Sequence, residues 1–315
     1  MYAATLCAVP KQIRILLRGP GGEPVDLHRT LVSHGTFSLP PALLDEERGT
    51  AEITVPLPRG KPRTIRIEGS KTARVDVLGP ATPGVLASVE AVTRRILNLD
   101  EDLSGFYGLA AEDPDLAWVT TGAGRMARAP TVFEDVIKTL ATTNCSWALT
   151  TKMVTTLVRE LGEPVPGAPE GDWRGRAFPT PQAMAEQDER FYREVVRAGY
   201  RAPHFVALAR GAADGTLDLE SLRDTEVPDE EVEERLLALP GIGPYAAAHV
   251  GLTLGRYRKL ILDSWTRPTF ARLAGYRRVP KDTTIARRFK RFGPWAGLAF
   301  WCFLTRAWVE SPPPE

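Results

Sequence analysis

Between residues 77 and 83 the hydrophobic period of this 315-residue chain changes, and that change constrains its fold more than any other feature. Upstream, residues 13–17, 51–55, 64–67 and 74–77 are short, rich in β-branched side chains and alternating, the pattern of strands with one face buried. Gly19-Pro20-Gly21-Gly22 and Pro58-Arg59-Gly60 supply turns between them. Downstream, Val85, Val89, Val92 and Ile96 fall on one stripe of a helix. The expected class is α+β: a small antiparallel β domain over residues 1–80, then a mostly α-helical domain over 81–315. Residues 39–44 (Leu-Pro-Pro-Ala-Leu-Leu) are expected to carry a short helix.

The helical half divides at local signals. Thr131 is placed to cap a helix, with Glu134 three residues on. Asn144 interrupts that run, predicting two helices joined near residues 143–145. Residues 163–176 are rich in Pro and Gly and predict a loop. Further helices are expected from residues 178–181, on either side of 198–201, after Pro228, over 268–274 and over 285–309, with the tail 311–315 frayed.

Composition excludes more than it identifies. An apolar fraction of 43% can fill a core, and no run is long enough to span a bilayer. Cys7, Cys145 and Cys302 form no CxxC, so neither an iron–sulfur cluster nor a zinc site is expected. His28, His34, His204 and His249 have no metal-ligand spacing. The start Met1-Tyr2-Ala3-Ala4 lacks the features of a secretory signal, so a cytoplasmic monomer is expected, nucleoid-associated in a bacterium. Net charge is only +1, but its distribution is uneven. Residues 256–292 hold Arg256, Arg258, Lys259, Arg267, Arg272, Arg277, Arg278, Lys281, Arg287, Arg288, Lys290 and Arg291 against Asp263 and Asp282. Residues 224–234 are the reverse, with Asp224, Glu226, Asp229, Glu230, Glu231, Glu233 and Glu234. Such asymmetry predicts a basic face that attracts polyanions.

Function is concentrated in residues 239–265. Leu239-Pro240-Gly241-Ile242-Gly243 lies between two helical runs, whose apolar faces are formed by Leu236, Leu237 and Leu239 before it and Ala246, Ala247, Val250 and Leu254 after it. Glycine permits a tight or left-handed turn and close approach of another backbone. Pro244 suits a first helical turn. Free N–H groups at that helix start favour a phosphate oxygen. Twenty residues beyond the hairpin, Leu262-Asp263-Ser264-Trp265 presents one carboxylate, with a helix-capping role as the alternative to catalysis.

The hairpin, the following helix and Asp263 together resemble the HhH-GPD superfamily of DNA glycosylases. Residues 132–162, 178–181 and 199–202, the Gly293-Pro294-Trp295-Ala296-Gly297 segment and the N-terminal strands are similar to further landmarks of its 3-methyladenine (AlkA-type) and 8-oxoguanine branches. The resemblance implies a helix-hairpin-helix at 239–245, a catalytic loop at 255–265, no cofactor, and duplex DNA with a damaged base as partner. It implies Asp263 as the catalytic carboxylate, with Pro240, Gly241, Ile242, Gly243, Tyr245 and Asn144 on DNA. Asn144 matches the wedge that fills the hole left by a flipped base. Tyr245, His249, Trp265, Phe300, Trp147 and Trp301 are the expected base pocket. Tyr245 occupies the position of the lysine that confers strand cleavage, which implies a monofunctional enzyme. The adenine-removing branch's glutamate has no counterpart in residues 137–141, and its four cysteines are absent. The base-reading glutamine of the oxoguanine branch falls on Phe300, while aromatic surfaces suit cationic alkylated purines. Alkylated purines are the expected substrate; 8-oxoguanine excision and non-catalytic lesion binding are the alternatives.

Overall fold

The computed structural model describes residues 11–308; Cys7, the start of the chain and the tail 311–315 lie outside them. Five strands, β1 (Lys11–Leu16), β2 (Ala42–Asp45), β3 (Thr50–Val55), β4 (Arg63–Gly69) and β5 (Thr72–Val77), form an antiparallel sheet in the order β1-β5-β4-β3-β2. Register follows the alternation: Ile65 pairs with Ile53 and Val77, and Ile67 with Ala51 and Val75. These residues, with Val55, are 0–2% exposed, and burying each stabilises the sheet by about 1.5–3 kcal/mol before entropy is counted. A short helix, α1 (Leu27–Leu31), lies between β1 and β2. It begins on Asp26, whose carboxylate accepts the Arg29 N–H at 3.0 Å.

The helix expected over residues 39–44 is not formed. Ala42–Asp45 is instead the edge strand β2, pairing Ala42 with Ile53 and Asp45 with Thr50. The cause is the turn that follows. Asp45 Oδ1 accepts the Arg48 N–H at 3.1 Å and Gly49 takes φ +62°, which returns the chain as a hairpin.

The period change is where the helices begin. Helix α2 (Pro83–Ile96) buries Val89 and Ile96 and rests Val85 and Val92 on the same core as the sheet. The rest of the chain runs α3 (Ser104–Ala111), α4 (Val132–Thr142), α5 (Trp147–Leu161), α6 (Pro181–Ala185), α7 (Glu189–Glu194), α8 (Ala202–Asp214), α9 (Asp229–Leu237), α10 (Pro244–Thr253), α11 (Thr266–Leu273), α12 (Asp282–Phe289) and α13 (Ala296–Thr305). Thr131 caps α4 as expected, Oγ1 accepting the Glu134 N–H at 3.2 Å. The Glu134 carboxylate does not complete a capping box; it binds Lys138 Nζ at 2.7 Å. Among the described residues, no helix is long and apolar enough to cross a membrane and no group of three or more potential ligands is arranged to hold a metal ion.

The helices pack around two apolar clusters. One gathers α4, α5 and α6 through α10; the other gathers α3, α12, α13 and the segment after α10. Tyr245 at the start of α10 touches both, so α10 marks the seam between them. A buried ion pair and a buried hydrogen bond tie the sheet side to the helical part. Glu23 meets Arg125, and Lys138 donates to Leu39 O at 3.1 Å besides binding Glu134.

Candidate active site

The hairpin is formed by α9, residues 238–243 and α10. Leu239 and Ile242 are 7% and 5% exposed and anchor it in the core, while Gly241 and Gly243 face outward. Leu237, expected on the apolar face, is 42% exposed, because the chain turns out of the helix one residue later. Gly241 takes φ +79°, and a Cβ there would stand 2.7 Å from His204 Cγ. The two requirements together make glycine obligatory. Gly243 is different: its φ is −96°, and a Cβ would meet nothing within 4 Å. Its lack of a side chain leaves open space outside the protein rather than relieving crowding within it. The N–H groups of Gly243, Tyr245 and Ala246 meet no acceptor among the described residues, and Pro244 has none to offer. Together they form the unpaired donor cluster of a helix start.

The irregular segment after α10 carries the chain back to Asp263, half-buried at the head of α11. Its Oδ1 accepts the N–H groups of Trp265 at 2.8 Å and Thr266 at 2.6 Å. In return its own N–H donates to Thr266 Oγ1 at 2.8 Å. One carboxylate oxygen is thus pinned by helix-start donors, while Oδ2 accepts no hydrogen bond among the described residues. The capping and catalytic readings of Asp263 are therefore compatible. Burial holds the Tyr245 phenol above its usual range, and the Asp263 charge adds to that, against the Thr142 hydroxyl bond, which places Tyr245 within the electrostatic reach of Asp263.

Four of the expected pocket residues cluster beside this carboxylate. Trp265 and Trp301 lie 5.9 Å apart between ring centres, His249 and Trp301 6.3 Å, and Tyr245 and His249 6.1 Å. Trp308 joins them, 5.7 Å from Trp265 and 5.8 Å from Trp301. Beneath Trp301 and Trp308 a cavity of about 30 Å³ is lined by Ser33, Trp118, Met126 and Cys302, room for about one water. Phe300 does not belong to this lining. It is fully buried and packs on Phe289 at 5.3 Å and Phe270 at 6.1 Å, because successive residues of α13 are turned about 100° from one another and Trp301 takes the side of the site. Trp147, 48% exposed at the head of α5, rests 3.0 Å from where a Gly35 Cβ would stand; it contacts the segment after α1 and joins none of the aromatic pairs.

That segment was not foreseen. His34 reaches His249, ring centres 5.5 Å apart and nearly perpendicular, and Ser33 O accepts the Trp301 indole N–H at 2.7 Å. Residues 33–39 thus form a wall of the site contributed from the sheet side of the molecule. His34 Nε2 lies 2.7 Å from Ala127 O and Nδ1 2.7 Å from Thr36 Oγ1. A carbonyl only accepts, so Nε2 carries the proton and Nδ1 takes the threonine hydrogen. Burial pushes His34 down to about 4 and His249 down to about 3, so both rings are neutral near pH 7.

Asn144 is exposed in the α4–α5 turn with φ +46°. Its Nδ2 donates to the Tyr200 hydroxyl at 3.0 Å. Arg201 stacks over the Tyr200 ring at 4.6 Å and donates to Thr143 Oγ1 at 3.2 Å. Asn144 is therefore one member of a group with Tyr200 and Arg201, which lie more than fifty residues away in sequence.

Ion pairs take up part of the basic run expected to form a basic face. Arg256 pairs with Asp229 at 3.0 Å, Arg258 with Glu230 at 3.3 Å and Lys259 with Glu233 at 2.9 Å, so the acidic run of α9 neutralises the start of the basic one. Arg267 binds Asp282, Arg288 binds Asp115 and Arg291 binds Asp113. Arg272, Arg277, Arg278, Lys281, Arg287 and Lys290 make no ion pair among the described residues.

No protein-family model matches the sequence, and no curated protein matches it. Solved structures do match. One is MBOgg1 in complex with a low-affinity DNA ligand, at 19% identity over 94% of this chain and 95% of that one, TM-score 0.71. A second is the Clostridium acetobutylicum 8-oxoguanine glycosylase/lyase with duplex DNA containing cytosine opposite 8-oxoG, at 19% identity over 91% and 92%, TM-score 0.70. A third is the 3-methyladenine DNA-glycosylase of Archaeoglobus fulgidus, at 23% identity over 93% and 98%, TM-score 0.69. Across nearly its whole length, the chain has the fold of these DNA glycosylases.

Proposed function

We propose that this protein is a monofunctional DNA glycosylase that removes alkylated purines from duplex DNA. The observation that carries the reading is the carboxylate of Asp263, fixed through one oxygen by the N–H groups of Trp265 and Thr266, on the fold shared with DNA glycosylases of known structure. The hairpin donors of Gly243, Tyr245 and Ala246 would hold a backbone phosphate. Extrusion of the base costs a few kcal/mol, least for a damaged pair, and Asn144 with Tyr200 is placed to enter the vacated stack.

As the C1′–N bond breaks, its electron pair leaves with the base and positive charge grows on the sugar, an oxocarbenium-like state. Asp263 stabilises that charge without reorganising, because its position is set before the substrate arrives. Water adds to C1′ and releases a proton, to Asp263 or to solvent, leaving an abasic site. A cationic alkylated purine departs neutral and needs no strong general acid. Tyr245 offers a phenol where a strand-cleaving enzyme needs an amine. Lys138 is buried in its pair with Glu134 and Lys259 is held by Glu233, which supports hydrolysis without a Schiff base.

The test is excision from duplexes carrying 7-methylguanine, 1,N6-ethenoadenine, 8-oxoguanine, hypoxanthine or uracil, by wild type and Asp263→Asn, with and without alkali. Release of 7-methylguanine, nicks only after alkali, and a loss of about 100-fold or more in Asp263→Asn are expected. Preferred release of 8-oxoguanine, or nicking without alkali, would overturn the substrate or the monofunctional assignment respectively. Tight binding with no release from any duplex would support lesion binding without catalysis.

A further inference from the structure

His249 is 5% exposed and stands edge-on among Tyr245, Trp301 and His34. Its Nδ1 faces α4, 3.4 Å from Thr139 Oγ1, so Nε2, across the ring, is turned away from that helix. Nε2 makes no hydrogen bond among the described residues. Around it the polar neighbours are few: His34 is saturated by Thr36 and Ala127, and the Tyr245 hydroxyl is 3.3 Å from Thr142 Oγ1. Nε2 is bonded to no protein group among the described residues and is not sealed from solvent, so it is the atom of this otherwise buried ring that a ligand can reach. The electron-rich faces of Trp265 and Trp301 and the carboxylate of Asp263 give the same region a negative bias.

We propose that His249 is the base-reading residue of this site, its Nε2 lone pair accepting an N–H of a cationic purine. Thr139 is the positioning residue in this proposal: its Oγ1 accepts from Nδ1–H, the tautomer that leaves Nε2 as the acceptor. The inference rests on the glycosylase reading above and narrows it. The ligand is a base that carries both positive charge and an N–H donor, as 7-methylguanine does at N1 and N2. An etheno-adenine, which has no N–H, cannot satisfy Nε2.

The experiment uses the full chain, wild type, His249→Phe and His249→Gln. Single-turnover excision is measured on duplexes with 7-methylguanine or 1,N6-ethenoadenine, and affinity on a duplex with a tetrahydrofuran abasic analogue, which presents no base. The expected result is about a tenfold slower excision of 7-methylguanine by His249→Phe, the scale of one lost hydrogen bond. His249→Gln, which keeps an acceptor, recovers part of the rate. Affinity for tetrahydrofuran DNA stays level, and the preference for 7-methylguanine over ethenoadenine narrows in His249→Phe. Equal 7-methylguanine rates in all three proteins overturn the inference. So does a fall in tetrahydrofuran affinity that matches the fall in rate, which would make His249 structural. Wild type that binds tetrahydrofuran DNA but releases no 7-methylguanine overturns the alkylated-purine reading itself, and this inference with it.

Discussion

At the scale of single residues, the site depends on a reciprocal pair. Asp263 and Thr266 each accept the other's backbone N–H, and Thr266 is fully buried. Thr266→Val keeps the shape but removes the acceptor, leaving the Asp263 N–H without a partner. Leaving such a group unsatisfied costs about 1–3 kcal/mol, which urea unfolding would register. Because that contact ties down the backbone that carries the carboxylate, while the Trp265 and Thr266 N–H bonds to Oδ1 remain, kcat should fall up to about tenfold while KM for DNA holds, the signature of an interaction made in the transition state. A loss of stability with kcat intact would show that Thr266 serves the helix alone. The capping positions of Asp263 and Thr131 were legible in the sequence, because each acts on its nearest neighbours in the chain. His34 was not legible. Its partners are Ala127 and His249, and nothing local to residue 34 distinguishes it from a surface histidine.

At the scale of elements, the two hairpin glycines have separable duties. Gly241 is held at φ +79° against His204, so alanine there strains the backbone and crowds the ring. A cost of about 1–2 kcal/mol from the left-handed conformation alone is expected. Gly243 has ordinary dihedrals and open space. Gly243→Ala should leave unfolding within about 0.5 kcal/mol of wild type, the range of a surface change. It should nonetheless weaken binding to duplex DNA, since the new methyl group occupies the approach to the free N–H groups. Comparing urea midpoints and duplex affinities for the two variants checks both halves. DNA affinity unchanged in Gly243→Ala would remove the hairpin from the interface. The hairpin could be read from sequence because turn chemistry is local. The edge strand β2 could not, since its conformation is fixed by pairing with β3 rather than by its own Pro-Pro-Ala-Leu-Leu composition.

At the scale of the whole molecule, charges are paired across long distances, which a count along the chain does not show. The acids of α9 and the cations after α10 look like opposite faces when counted along the chain, yet they are each other's partners. Titratable groups buried elsewhere in the molecule should make stability depend on pH. Burial raises Asp135 to about 7 against the pull of nearby Arg95 and its bond from the Ala129 N–H, with Glu134 and Lys138 adding opposed effects. Its folded-state pKa lies above the unfolded value of 3.8, so the folded state holds the extra proton. The stabilisation is complete below the unfolded pKa and is lost as pH rises toward 7. His34 and His249 slope the other way. Their folded values of about 4 and about 3 lie below 6.5, so their contribution is complete above 6.5 and is lost as pH falls through that window. Asp135→Asn keeps an oxygen for the Ala129 N–H and removes only the falling limb. Relative to wild type, its unfolding free energy should therefore climb between pH 4 and 7, by roughly 3 kcal/mol. Parallel pH curves for the two proteins would show that Asp135 does not titrate in this range, and would leave the histidines as the groups that set the acid limit of the fold.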